Sequence, residues 1–229
     1  MHGGASPATT WSGLEPMASR WVLAFVHRRG FAPSPPPHGG RQDFEVDATD
    51  LEPLLDARPH VVAHSYGALG ALIAASRRPA RVRSLTLIEP PLFHLVSHDP
   101  ELARFERIGD EILAHGLETE PATLREFLRV AGTPVPDDGP LPEKVARAVR
   151  RAHGSRSPGE ARPALEVLRA ARIPALVASG DHAPFLERAA DALATELGAQ
   201  RLVAPGAGHF VASAPGFTRQ LERFLLSAA

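Results

Sequence analysis

The sequence predicts an α/β fold: a mostly parallel sheet flanked by helices, with a helical segment inserted into it. Two observations carry this. Short, almost wholly apolar runs alternate along the chain with segments of helical periodicity. The alternation lapses between residues 92 and 172, where helical patterns follow one another with no strand among them.

Taken in order, Trp21–Val26 reads as a first strand and Arg58–His64, with its run Val61-Val62-Ala63, as a second. Val82–Ile88 is a third, stopped by Pro90-Pro91. Ile173–Ser179 and Gln200–Ala204 complete the set. Runs this apolar belong to strands buried on both faces. Helices are expected between them at Asp47–Leu55, Tyr66–Ser76, Phe185–Leu197 and Pro215–Ser227, the last with Phe217, Leu221, Phe224 and Leu225 on one face. The strandless stretch holds helical patterns at Pro100–His115, Ala122–Val130, Pro142–His153 and Ala161–Ala171. The expected organisation is therefore a core of residues 1–91 and 173–229 with a helical cap, 92–172, inserted in it.

Bulk properties narrow the function classes. The 229 residues suffice for one sizeable core with an inserted subdomain. Net charge is −1 and Lys144 is the single lysine, so there is no basic footprint for nucleic acid. With no cysteine, disulfides, thiolate chemistry and Cys-bearing zinc sites are excluded. No apolar run is long enough to span a bilayer and no signal-peptide pattern is visible, so a cytoplasmic location without membrane partners is expected. No cofactor motif appears: Gly67 and Gly70 lack dinucleotide-loop spacing. His94 and His98 have no third ligand nearby, so no metal site is expected.

Three short motifs carry chemistry. In Ala63-His64-Ser65-Tyr66-Gly67, Ser65 stands where an apolar strand meets an Ala-rich helix, with small residues two before and two after it. A serine in such a turn projects its hydroxyl beyond the sheet, near the positive end of the helix, and the Tyr66 N–H is placed to donate to an oxyanion. A hydroxyl is a poor nucleophile without a base. His209, in Gly206-Ala207-Gly208-His209, follows the last strand in a loop flexible enough to reach back over the strand ends. Asp181, in Ser179-Gly180-Asp181-His182, ends the strand before it and is the leading candidate to orient the imidazole. Glu89, at the end of the Val82–Ile88 strand, is kept as an alternative acid or a substrate contact.

These residues, with His2-Gly3-Gly4 followed by Trp11 and with Arg28-Arg29-Gly30-Phe31 followed by Ser34, resemble the α/β-hydrolase superfamily. The likeness is strongest to cap-bearing bacterial esterase and peroxidase-like members and covers nearly the whole chain from His2. It implies a nucleophile, acid, base order of Ser65, Asp181, His209, and a second oxyanion donor at the Gly4 N–H. Where the family often has Asp before the Arg-Arg/His-Gly motif, this chain has His27.

The resemblance also implies a strand before the His-Gly loop, yet only Met1 precedes His2. An opening in the sheet, low stability and association into homo-oligomers are the expected consequences. The expected activity is hydrolysis of a small-molecule ester or thioester through an acyl-enzyme. Serine at the turn argues against dehalogenase and epoxide hydrolase chemistry, which use Asp there. Acyl transfer, C–C hydrolysis and cofactor-free peroxidase chemistry stay open, as does a hydrolase-like scaffold that binds a small ligand without turnover.

Overall fold

The computed structural model describes residues 1–228. Four strands form one parallel sheet in sequential order: β1 (His60–His64), β2 (Ser84–Ile88), β3 (Ala175–Ser179) and β4 (Gln200–Val203). The register pairs His60 with Ser84, Leu85 with Ala175 and Leu176 with Gln200. Each lies within a run read as a strand from the sequence.

The alternation of side chains along the strands divides the core into two faces. Val61, Ala63, Leu85, Leu87, Ala175 and Val177 point into one cluster. There they meet α2 (Phe44–Leu51), α3 (Tyr66–Arg77), α7 (Leu165–Ala170) and α8 (Pro184–Leu197). Ile88, Leu176 and Ala178 point into the other, against Phe217, Leu221, Phe224 and Leu225 of α9 (Phe217–Ser227) and against Trp11, Leu14 and Met17. The last three follow a short N-terminal helix, α1 (Pro7–Thr10). β2 and β3 are buried at every position because helices cover both faces.

Between β2 and β3 run α4 (Pro100–His115), α5 (Pro121–Val130), α6 (Glu143–Ala152) and then α7. Asp99 caps α4 by accepting from the Glu101 and Leu102 N–H groups, with Pro100 at the first helical position. α4, α5 and α6 share a cluster of their own, made by Ile112, Leu124, Leu128, Val145 and Val149. The short α7 instead buries Leu165 and Leu168 in the main core.

Three sequence expectations change. Trp21–Val26 forms no strand: Val22 is fully exposed and Phe25 43% exposed. A strand needs a neighbour to complete its ladder. The outer edge of β1 is met at Met1, whose carbonyl accepts from the His64 N–H at 2.9 Å and whose amine donates to the Val62 carbonyl. The helix expected over Asp47–Leu55 starts earlier, capped by Asp43, and gives way at Glu52–Ala57 to a 3-10 turn containing Pro53. The helix expected over Ala161–Ala171 begins only after Pro163.

Candidate active site

Ser65 joins β1 to α3 with φ 52° and ψ −135°, a conformation that costs a non-glycine residue on the order of 1–3 kcal/mol. The turn is held by the Ser65 N–H donating to the Ile88 carbonyl at 2.8 Å. Tyr66 is the first residue of α3, so its N–H has no acceptor within the helix. Two glycines let the first residues of the chain press onto this turn. A Cβ on Gly67 would strike the His2 carbonyl, and one on Gly3 would lie 2.6 Å from Ser65 Cβ. Gly4 is exposed, with open space where a side chain would stand.

A buried network holds that segment. Arg28 donates through Nη1 to the Gly3 carbonyl at 3.0 Å and through Nε to Asp47 at 2.8 Å. Its backbone N–H donates to His2 Nε2 at 3.1 Å, so Nε2 is the unprotonated ring nitrogen, and Nδ1–H donates to the Gly3 carbonyl. Burial and the Arg28 charge push the His2 pKa down to about 3. Of the Arg28-Arg29 pair, only Arg28 turns inward; Arg29 pairs with Asp50 at the surface. The motif was visible in the sequence, but not which arginine it buries.

His209 lies in the loop after β4. Gly180 and Gly208 cross so closely that a Cβ on Gly180 would overlap the Gly208 carbonyl. His64, next to the elbow serine, donates through Nε2 to the His209 carbonyl at 2.8 Å and fixes the loop from below. From above comes Gly132, just after α5: a Cβ there would lie 2.5 Å from His209 Cβ. Among the described residues, Ser65 and His209 share no hydrogen bond. Burial, followed by the charge of His182, lowers the His209 pKa to about 3.

The carboxylate brought to His209 is that of Glu89. Its Oε2 stands 3.5 Å from His209 Nδ1, and its side chain is 1% exposed. Oε1 accepts from the Gly180 N–H at 2.7 Å and lies 3.8 Å from His182 Nδ1. Burial raises the Glu89 pKa to about 7. Asp181 is exposed, at φ 56°, and its carboxylate is not within 4.0 Å of a His209 nitrogen. Its backbone N–H donates to Glu187. Asp181 stays at the surface, while the neighbouring His182 turns inward. His182 is the site residue that sequence reasoning passed over; adjacency to Gly180-Asp181 was the only available signal. Glu89, His182 and His209 also form the one group among the described residues whose donor atoms, all within 4.8 Å of one another, could hold a metal ion.

A helix-covered parallel sheet, a strained serine at a strand–helix turn and a histidine on a later loop together define a recurrent hydrolase architecture. The family model described as "Alpha/beta hydrolase family" matches residues 1–221. The chain belongs to the alpha/beta hydrolase family. Solved hydrolase structures share its fold at low identity. A bacterial membrane phospholipase A has a TM-score of 0.66 at 20% identity, covering 99% of this chain and 77% of that one. A thermophilic esterase from Thermogutta terrifontis has a TM-score of 0.62 at 20% identity, covering 99% and 88%. A meta-cleavage product hydrolase from Pseudomonas fluorescens has a TM-score of 0.58 at 16% identity, covering 100% and 89%. No curated protein sequence matches the chain. Family membership makes this alpha/beta hydrolase a hydrolytic enzyme, and no helix among its described residues is long and apolar enough to cross a membrane.

Proposed function

We propose that this hydrolase cleaves an ester or thioester of a small molecule through a covalent acyl-enzyme, with Ser65 as nucleophile, His209 as base and Glu89 as the acid that orients the base. The observation that carries the reading is the Glu89 carboxylate 3.5 Å from His209 Nδ1, in a chain whose Ser65 sits in a strained strand–helix turn. In this scheme Glu89 holds Nδ1 protonated. Nε2 is then left to take the Ser65 proton as Oγ attacks the carbonyl, and the ionised carboxylate stabilises the imidazolium that forms. The N–H groups of Tyr66 and Gly4 receive the oxyanion, worth on the order of 3 kcal/mol per donor in such sites. His209 then returns the proton to the leaving group and activates the water that frees the acyl chain.

The insertion of residues 92–172 is read as the cap that shapes the substrate pocket, and the placement of Gly132 against His209 supports that role. The reading is tested by stopped-flow hydrolysis of an activated p-nitrophenyl ester and by labelling with a fluorophosphonate. A burst of alcohol and a label on Ser65, both lost in Ser65→Ala, are the expected results. A steady rate that survives Ser65→Ala would overturn it.

A further inference from the structure

The loops after β2, β3 and β4 bring one side chain each to a common point: Glu89, His182 and His209. Catalysis as read above uses Glu89 and His209 and leaves His182 without a role. Its ring is nonetheless turned inward, 13% exposed, with neither nitrogen hydrogen-bonded. Glu89 Oε2 and His209 Nδ1 are also buried without a hydrogen-bond partner. Glu89 Oε2 and His209 Nδ1 face each other and can satisfy one another in the catalytic pair, but the two His182 nitrogens beside them have no such partner. Buried polar atoms are ordinarily paired, which points to a ligand that would engage the three side chains together.

The donor set and spacing identify the ligand. Two imidazoles and one carboxylate suit a zinc-class divalent ion, bound by three protein ligands with a fourth position open. At metal–ligand distances of about 2.0–2.1 Å, tetrahedral geometry sets donor atoms about 3.3 Å apart. Here His209 Nδ1 and His182 Nδ1 stand 3.5 Å and 3.8 Å from the Glu89 oxygens. The two contacts are to different carboxylate oxygens, Oε2 and Oε1, and the three donor atoms lie within 4.8 Å of one another, so a bound ion would draw the side chains together around it. The Gly180 N–H anchors Oε1 and holds the carboxylate in the orientation that presents Oε2 to His209.

We propose that Glu89, His182 and His209 form a reversible, inhibitory binding site for a divalent transition-metal ion of the zinc class. A metal on Nδ1 of His209 leaves the neutral imidazole's only proton on Nε2. That nitrogen then has no lone pair with which to accept the Ser65 proton, so nucleophile activation stops. The inhibitory consequence rests on the serine-hydrolase reading; the binding itself does not.

The test separates the two. The chelator-stripped protein is titrated with zinc chloride by calorimetry, and with cobalt(II) by visible absorption, which reports tetrahedral nitrogen and oxygen coordination. One zinc per chain is expected, and Ser65→Ala should bind it unchanged even though it is inactive. His182→Ala and Glu89→Gln should each weaken binding by about tenfold or more, with circular dichroism checking that they fold; His182→Gln serves where His182→Ala does not. In the active protein, the zinc concentration that halves ester hydrolysis should track the calorimetric Kd, and chelator should restore the rate. Absence of one-to-one binding, or equal affinity in the His182 variants, would overturn the site. Binding without inhibition of an active enzyme would overturn its inhibitory role.

Discussion

Gly132 rests directly on His209: a methyl group at its α-carbon would lie 2.5 Å from the histidine Cβ and 3.3 Å from Nε2 of His182. The segment after α5 thus touches the backbone-proximal part of His209, the proposed base, and position 132 sets how far the loop can settle over it. Gly132 also has φ +74°, which only glycine adopts without strain. Gly132→Ala is expected to displace His209 and lower kcat by about 10- to 100-fold, as ångström-scale misplacement of a catalytic group does. Steady-state kinetics checks this, with thermal melting to show that the fold is kept.

The two candidate acids separate cleanly by mutation. Glu89→Gln removes the charge beside His209 Nδ1 and can present an N–H toward it, favouring the wrong tautomer. A drop of about four orders of magnitude in kcat is expected, by analogy with triad acids elsewhere. Asp181→Asn changes an exposed turn residue and should leave kcat within a few-fold of the parent. Activity lost in Asp181→Asn and kept in Glu89→Gln would reverse the assignment.

Arg28 and Asp47 form a buried ion pair at 2.6 Å, with side chains 1% and 4% exposed. Removing one partner leaves the other charge buried and uncompensated, at a cost of about 3–5 kcal/mol. Asp47→Ala should therefore shift the urea midpoint strongly. Arg28→Ala should do the same, and should also loosen the Gly3 carbonyl that Arg28 holds. An unchanged midpoint in both would show that the pair does not hold the His2–Gly4 segment in place.

Stability should fall on acidification through His2. In the fold its pKa is pushed down to about 3 by burial and by Arg28, while in the unfolded chain it stays near 6.5. Between these values the unfolded chain binds a proton that the fold refuses, so each pH unit lost lowers the unfolding free energy by up to about 1.4 kcal/mol. From pH 7 to pH 5 the His2 contribution comes to about 2 kcal/mol. The charge facing it over this range is that of Arg28, which favours neutral His2; the neighbouring Met1 amine, whose own pKa burial lowers to about 5, adds its positive charge only near the acid end. His2→Gln keeps an acceptor for the Arg28 N–H and does not titrate, so its urea-derived stability should decline less over this range. Equal pH slopes in the two proteins would contradict the account.

Much of the molecule was legible in the chain itself. Apolar runs of about five residues mark β2 and β3 because both faces of the sheet are covered there and almost every side chain must be buried, whereas the edge strand β4, Gln200–Val203, is part-exposed and was marked only by the short run at its end. The small residues around Ser65 mark the strand–helix turn because the backbone at Gly67 has no room for a Cβ beside the His2 carbonyl. The proline after each N-cap and the glycine after Leu197 bracket α4 and α8. These are local constraints, and local sequence records them.

Tertiary structure decided the rest. Whether Glu89 or Asp181 faces His209 depends on which strand end points inward once β2 lies beside β3, since both residues take a positive φ and only one is buried. Trp21–Val26 has the composition of a strand, but a strand exists only where a neighbour completes its hydrogen bonds. Arg28 and Arg29 are the same residue type side by side, and only the position of Asp47 inside the core selects one of them for burial. His182 joins the site because three loops, each from a different strand, converge above one edge of the sheet. The sequence by itself thus determined most of the elements and the strand–helix turn that carries Ser65. The partners of each side chain were decided by packing, because contacts between residues far apart in the chain leave no local mark.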